Sequence, residues 1–426
     1  MTRRQTRSRA DGTQPSQFVR SAIRARLAVR GFRFAAGFVA ATLALFGAVV
    51  AAEEWRVIGD LLERPGIDAF YEQPVEGVAG EPGTIVKLDP LLGAPFASRA
   101  WRLMYRTTDV HGDPVVSTGV LVVPLTPAPP QGRTVVSWGH PTTGAARSCA
   151  PSYGFDPFLG IEGLRFLLDR GYAVVATDYV GMGTDGPDSY LVGATGGNAV
   201  LDAARAARAV PEARATDRVV LWGHSQGGQA ALFAAERASE YAPELSIVAV
   251  AAAAPAADLP GLMRAHLDDI SGVTIGAYAF TAYAEVYPDA PLDGILTPTA
   301  LELVPRMNEL CLLSHLSELH RIGDPLVGDF TTEDPSTAEP WASLLEQNSA
   351  GAVAFDAPLF LAQGRDDELV VPGDTEQFAR HQAALGISVT FHEIPFADHG
   401  TVAYLALPAM LRWLDRVEAE RAHTPP

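Results

Sequence analysis

The chain has 426 residues, 48% of them hydrophobic and 19% charged, with two cysteines and a formal net charge of −18. That content can bury a large core and excludes wholesale disorder. Two cysteines exclude both a disulfide-framework miniprotein and a cysteine-rich zinc site.

Charge is unevenly placed. Residues 1–33 hold nine arginines and one acid, a net +8; the remainder sets 23 basic residues against 49 acids, a net −26. An acidic body repels phosphate backbones, which argues against nucleic-acid binding. An uncharged apolar run over 34–52 follows the arginines and is closed by Glu53 and Glu54. A basic flank, an apolar run and the small residues Val50-Ala51-Ala52 fit a secretory signal over residues 1–52. The run is also near the lower length limit of a membrane span, so a retained anchor is the alternative.

Short apolar runs then predict strands at 115–123, 134–138, 173–177, 218–222, 247–252, 358–362 and 388–394. Many are continuous rather than alternating, as in strands buried on both faces. Helical patterns lie at 198–210, 228–239 and 408–421. Strands alternating with helices predict an α/β fold with a mainly parallel sheet. The alternation breaks over 256–351, which reads as an inserted helical cap, leaving 68–255 and 352–421 as the core. Tyr278, Phe280, Tyr283 and Tyr287 in this insertion suit either a packed cap core or a surface facing an apolar substrate.

Gly223-His224-Ser225-Gln226-Gly227 fits G-x-S-x-G, a weak signal alone in a chain with 39 glycines. Its context makes it specific. A strand precedes it and a helix follows, which is the arrangement of a nucleophile elbow. The flanking glycines admit a sharp turn, and the helix N-terminus favours a developing oxyanion. Serine needs a base at neutral pH, and the base needs an orienting carboxylate. In α/β hydrolases these follow in the order Ser, Asp or Glu, His. The strand at 358–362 leads into Gly364-Arg365-Asp366-Asp367-Glu368, and the strand at 388–394 leads towards His399. Both loops leave the C-terminal ends of strands, where such sheets bind ligands. His224 lies inside the elbow and is expected to point away from Ser225. His315 and His320 lack the spacing of a zinc motif.

The strand at 134–138 ends in Gly139-His140-Pro141-Thr142-Thr143-Gly144, placed to supply the second oxyanion donor. The backbone N–H of Gln226 is the first donor. Thr142 and Thr143 are the candidates for the second, because Pro141 has no N–H. Cys149 follows this loop and Cys311 lies in the insertion. In an exported protein the two are expected to pair, tying cap to loop.

Several segments together resemble the secretory lipases, the family of fungal lipase A-type enzymes and bacterial relatives. They are residues 137–144, Cys149-Ala150-Pro151-Ser152, Asp178-Tyr179-Val180-Gly181-Met182-Gly183, residues 198–206, 223–228 and 364–372. The resemblance runs from about residue 68 to the end. It implies an α/β-hydrolase fold with a helical cap and action on carboxylic esters, often acylglycerols. It assigns Ser225 as nucleophile, His399 as base and Asp367, third after Gly364, as acid. It also supports the Cys149–Cys311 bridge. Pro141 stands where many relatives have glycine.

The expected reaction is hydrolysis of a small-molecule or lipid ester through an acyl-enzyme, with no metal and no cofactor. Contact with a lipid interface would come through the cap. The rival readings are a serine exopeptidase of the same fold and a non-catalytic envelope protein. Acyl chain length and oligomeric state are not encoded in any motif.

Overall fold

The computed structural model describes residues 67–72, 80–91, 93–154 and 156–423. The run at 34–52, read as a signal or anchor, lies outside them. No helix among the described residues is long and apolar enough to cross a membrane.

The described residues form a nine-stranded sheet. Its strands are β1 (Ile85–Leu91), β2 (Ser98–Thr108), β3 (Pro114–Pro124), β4 (Arg133–Gly139), β5 (Ala173–Thr177), β6 (Ala215–His224), β7 (Ser246–Ala253), β8 (Leu359–Gly364) and β9 (Val389–Ile394). Their order is β1-β2-β3-β5-β4-β6-β7-β8-β9. The β1–β2, β2–β3 and β3–β5 pairs are antiparallel, and the pairs from β5 onward are parallel. The mainly parallel α/β-hydrolase sheet expected from the sequence is therefore present, with an antiparallel extension on one edge.

Strands β1 and β2 were not visible as apolar runs. In β2 the pattern is interrupted by Arg99, Arg102 and Arg106, yet Arg102 and Arg106 are buried. Arg102 Nε donates to Ser152 O at 2.9 Å and Arg106 Nη1 to Gly80 O, so each buried cation meets a backbone carbonyl. In β1, Pro90 demotes a strand reading.

Helices cover both faces. On one lie α2 (Gly193–Ala209) and α3 (Gln226–Tyr241), introduced after α1 (Leu164–Asp169). Their alanines pack on Val135, Val175, Val219, Leu221 and Leu361. Alternate residues of the same strands, among them Val136, Trp138, Val174 and Trp222, face the opposite core with α1 and the C-terminal helix. This period-two division explains why the strands read as unbroken apolar runs.

Between β7 and β8 the chain forms α4 (Leu259–His266), α5 (Ile270–Val286), α6 (Pro298–Asn308), α7 (Leu312–Gly323) and α8 (Trp341–Gln347). Tyr278, Phe280, Tyr283 and Tyr287 of this region are buried. Tyr278 donates to Leu310 O and Tyr283 to Leu191 O. The aromatics are core, the tyrosines anchored by their hydroxyls and Phe280 by ring contacts with Phe330 and Trp341.

Helices α9 (Pro372–Ala384) and α10 (Val402–His423) complete the fold. α10 begins six residues before the sequence pattern at 408–421. Pro408 sits within it on the exposed face, while Ala403, Leu407, Met410, Leu411 and Leu414 keep a continuous buried stripe. That burial outweighs the hydrogen bond Pro408 cannot make.

Candidate active site

The parallel register brings several strand ends to one rim. Gly139 pairs with Gly223, His224 with Ala253 and Gly364 with Ile394. Ser225 stands between β6 and α3 at φ +55°, and its N–H donates to Ala253 O at 3.0 Å. Such a conformation costs about 1–3 kcal/mol and persists only where its surroundings enforce it. Here the flanking glycines enforce it. A Cβ on Gly223 would come within 2.0 Å of Gly227 O, and one on Gly227 within 1.9 Å of Gly139 O. Strand, helix and loop meet closer than any side chain allows.

The structure brings Ser225, His399 and Asp367 together. His399 Nε2 is 2.9 Å from Ser225 Oγ, and His399 Nδ1 is 2.9 Å from Asp367 Oδ2. Asp367 rather than Asp366 makes this contact. Its other oxygen accepts the N–H groups of Leu369 and Val370, both at 2.9 Å, and Gln363 Nε2 donates to Oδ2 at 3.1 Å. Burial alone would raise the Asp367 carboxyl, but the bond from His399 and the two backbone donors outweigh it and hold it below its ordinary value.

Gln226 opens α3, where the first N–H groups have no intrahelical partner. It lines the space over Ser225 with Thr142, Tyr190, Leu262, Ile275 and Leu369. Thr142 Oγ1 shares a 2.7 Å hydrogen bond with Tyr190 OH. Thr143 turns elsewhere: its hydroxyl donates to Cys149 O, and its carbonyl accepts Leu312 N. Of the two threonines, Thr142 is the one beside Ser225. The enclosed space is about 10 Å³, room for one water at most. His399 also borders an open cleft of about 370 Å³, lined by Asp269, Asp366, Glu368 and Asp398.

The loop at 139–144 is fixed from several sides. Tyr179, at φ +67°, donates its hydroxyl to His140 O at 3.0 Å. The Cys149–Cys311 disulfide joins the turn after the loop to the start of α7. Buried Asp178 accepts the Ser152 N–H at 3.0 Å, the Ser152 hydroxyl, and the Thr118 hydroxyl at 2.6 Å. The Cys-Ala-Pro-Ser and Asp-Tyr segments are thus one brace under the loop. His266 on α4 spans Asp269 Oδ2 (2.6 Å) and Leu369 O (2.8 Å), tying the inserted helices to the Asp367 loop.

One residue beside the site carried no motif. Glu162 precedes α1 and bonds His224 Nδ1 at 2.8 Å. The His224 ring lies against that of His399, with centroids 5.0 Å apart. His224 therefore packs behind the base. Among the described residues no group of three or more His, Cys, Asp or Glu side chains converges to hold a metal ion.

The fold and this arrangement define an α/β-hydrolase. Residues 161–424, more than half of the chain, match the secretory lipase family. The chain belongs to that family and is a carboxylic ester hydrolase. It is 26% identical over 414 residues to Lipase 10 of Candida albicans, covering 88% of this chain and 85% of that protein. It is 27% identical over 374 residues to a probable inactive lipase of Mycobacterium tuberculosis, covering 82% and 81%. Among solved structures it resembles Candida antarctica lipase A, with a TM-score of 0.71, 20% identity and coverage of 85% and 87%.

Proposed function

We propose that the protein hydrolyses apolar carboxylic esters, acylglycerols among them, by two-step acyl transfer at Ser225. Ser225 Oγ attacks the ester carbonyl while His399 Nε2 takes its proton, and Asp367 orients the imidazole and stabilises its positive charge. The N–H of Gln226 and a donor from Thr142 hold the oxyanion. His399 then returns the proton to the alcohol, which departs and leaves an acyl-serine. Water deprotonated by His399 attacks the acyl carbonyl, the acid leaves, and the proton returns to Ser225. The observation that carries this reading is the chain Ser225–His399–Asp367, both links 2.9 Å. The same two contacts weigh against a non-catalytic role.

Residues 256–351 act as a cap in this proposal. With about 10 Å³ over Ser225, no ester enters until α4 and α5 move. Leu313 and Leu316 on α7 are 77% and 46% exposed, an apolar surface suited to an ester-bearing lipid interface. Residues 1–52 direct export, with cleavage near Ala52; the N-terminus of the exported protein, read by sequencing, tests this.

The enzymatic test is Ser225→Ala. The variant should keep its thermal unfolding profile and lose p-nitrophenyl ester hydrolysis by about 10⁶-fold. Full activity in a folded variant would overturn the assignment.

A further inference from the structure

The triad histidine is backed by a second carboxylate–imidazole unit. Glu162 is 2% exposed and His224 is 3% exposed. Glu162 Oε2 accepts Trp138 Nε1 at 3.1 Å, and its backbone carbonyl accepts Trp222 Nε1 at 3.0 Å. The tryptophans belong to β4 and β6, so Glu162 is clamped to the two strands that carry the oxyanion loop and the elbow. Glu162 Oε1 lies 2.8 Å from His224 Nδ1, and the His224 ring packs at 5.0 Å on His399. Buried His224 Nε2 has no hydrogen-bond partner. An imidazolium there would bury a charged N–H donor without an acceptor, which costs more than an idle lone pair. The one hydrogen bond of the ring therefore runs between Nδ1 and the Glu162 carboxylate.

We propose that Glu162 and His224 act as positioning residues for His399: the His224 ring fixes the plane of the base, and the Glu162 charge favours the imidazolium formed as Ser225 attacks. Glu162 also supplies the acceptor that the buried Trp138 Nε1–H needs, a structural role that glutamine at this position would keep. The titratable groups near enough to feel the Glu162 charge are His140 and Tyr179 from the oxyanion side and Tyr404 from α10, and Asp367 reaches the unit through His399. Asp367, in contact with the base, and Glu162, behind the His224 ring, both favour the same imidazolium. The Asp367 bond sets the tautomer, and the second unit sets ring orientation and adds to the field.

This inference rests on the triad proposed above. Ester turnover by the native enzyme and its loss in Ser225→Ala test that reading separately in the same series. Glu162→Gln then tests the pair with a short, soluble p-nitrophenyl ester. The expected result is a kcat lower by about tenfold, an unchanged KM, and an acid limb of kcat/KM moved to lower pH, because removing the charge disfavours the imidazolium. Glu162→Asp, which keeps the charge, should return the acid limb towards the native position. If Glu162→Gln does not fold, His224→Gln carries the test: it keeps a donor for Glu162, removes the ring against His399, and should lower kcat without raising KM. A folded Glu162→Gln with the native kcat and pH profile, or a loss confined to thermal stability, would overturn the proposal.

Discussion

His399 Nε2 sits 2.9 Å from Ser225 Oγ, although 174 positions separate the two residues in the chain. Ser225 follows β6 and His399 follows β9, and the parallel register of the sheet aims both at one rim. Asp367, after β8, closes the chain on the far side of the imidazole.

Replacing Asp367 with asparagine tests that link. Asparagine can present a donor to Nδ1 and so favour the wrong tautomer. A fall in kcat of about 10⁴-fold with little change in fold is expected from ester kinetics and circular dichroism. The carboxyl also bears on stability. Its folded value is lowered, so the stability it contributes is present above the ordinary carboxylate range and is lost as pH falls through the lowered value. The native enzyme should lose more stability on acidification than Asp367→Asn does. Equal acid sensitivity would contradict the pairing.

The disulfide closes a separation of 162 residues and joins the loop beside Ser225 to α7. Loop-closure entropy makes a bond across so long a loop worth up to about 5 kcal/mol. Cys149→Ser with Cys311→Ser should therefore lower Tm in thermal unfolding, and a reductant should do the same to the native protein. The same variant should lose catalytic efficiency, since Thr142 shares the tethered loop. An unchanged Tm would show that the bridge is not a fold constraint.

Glu236 on α3 is buried and accepts the N–H groups of Gly351 and Val353, and burial pushes its carboxyl up to about 7. With a raised folded value, the native state holds its proton while the unfolded chain has already released it. Stability then falls as pH rises from about 4.5 towards 7, by up to about 3 kcal/mol. Glu236→Gln removes this slope. The Tm of the variant should gain on that of the native protein across this pH window; parallel curves would contradict the burial argument.

Leu313 and Leu316 lie exposed on α7. Leu313→Ser with Leu316→Ser should lower activity on an emulsified triacylglycerol several-fold, from lost apolar burial at the interface of about 1.5–3 kcal/mol per leucine at most. Hydrolysis of a soluble short-chain ester should stay within twofold. Equal losses on both substrates would assign the leucines to the fold instead of the interface.

The elbow was legible because strand, glycine turn and helix are local signals read over about twenty residues. Strands β3 to β8 were legible because burial on both faces leaves long apolar runs, whereas the partly buried edge strand β9 offered only Val389, Phe391 and Ile394 among polar residues. β2 was not, since Arg102 and Arg106 find backbone carbonyls that no local pattern announces. The first turn of α2 was hidden by Gly193, Gly196 and Gly197, which lower helix propensity but admit the close approach of α3. At the site, the residue types of the triad and the order in which they occur were readable. Glu162 was not: it stands in no motif, and only the folded sheet brings it to His224. The space over Ser225 was equally unreadable, because it depends on how the inserted helices rest on the rim.

Covalent labelling of Ser225 tests the central claim most directly. The native protein, treated with a fluorophosphonate and digested, should carry one adduct per chain on the peptide containing Ser225, with ester hydrolysis lost in proportion to labelling. Ser225→Ala should take up none. Full labelling at another residue, or ester turnover that persists with Ser225 modified, would contradict the account.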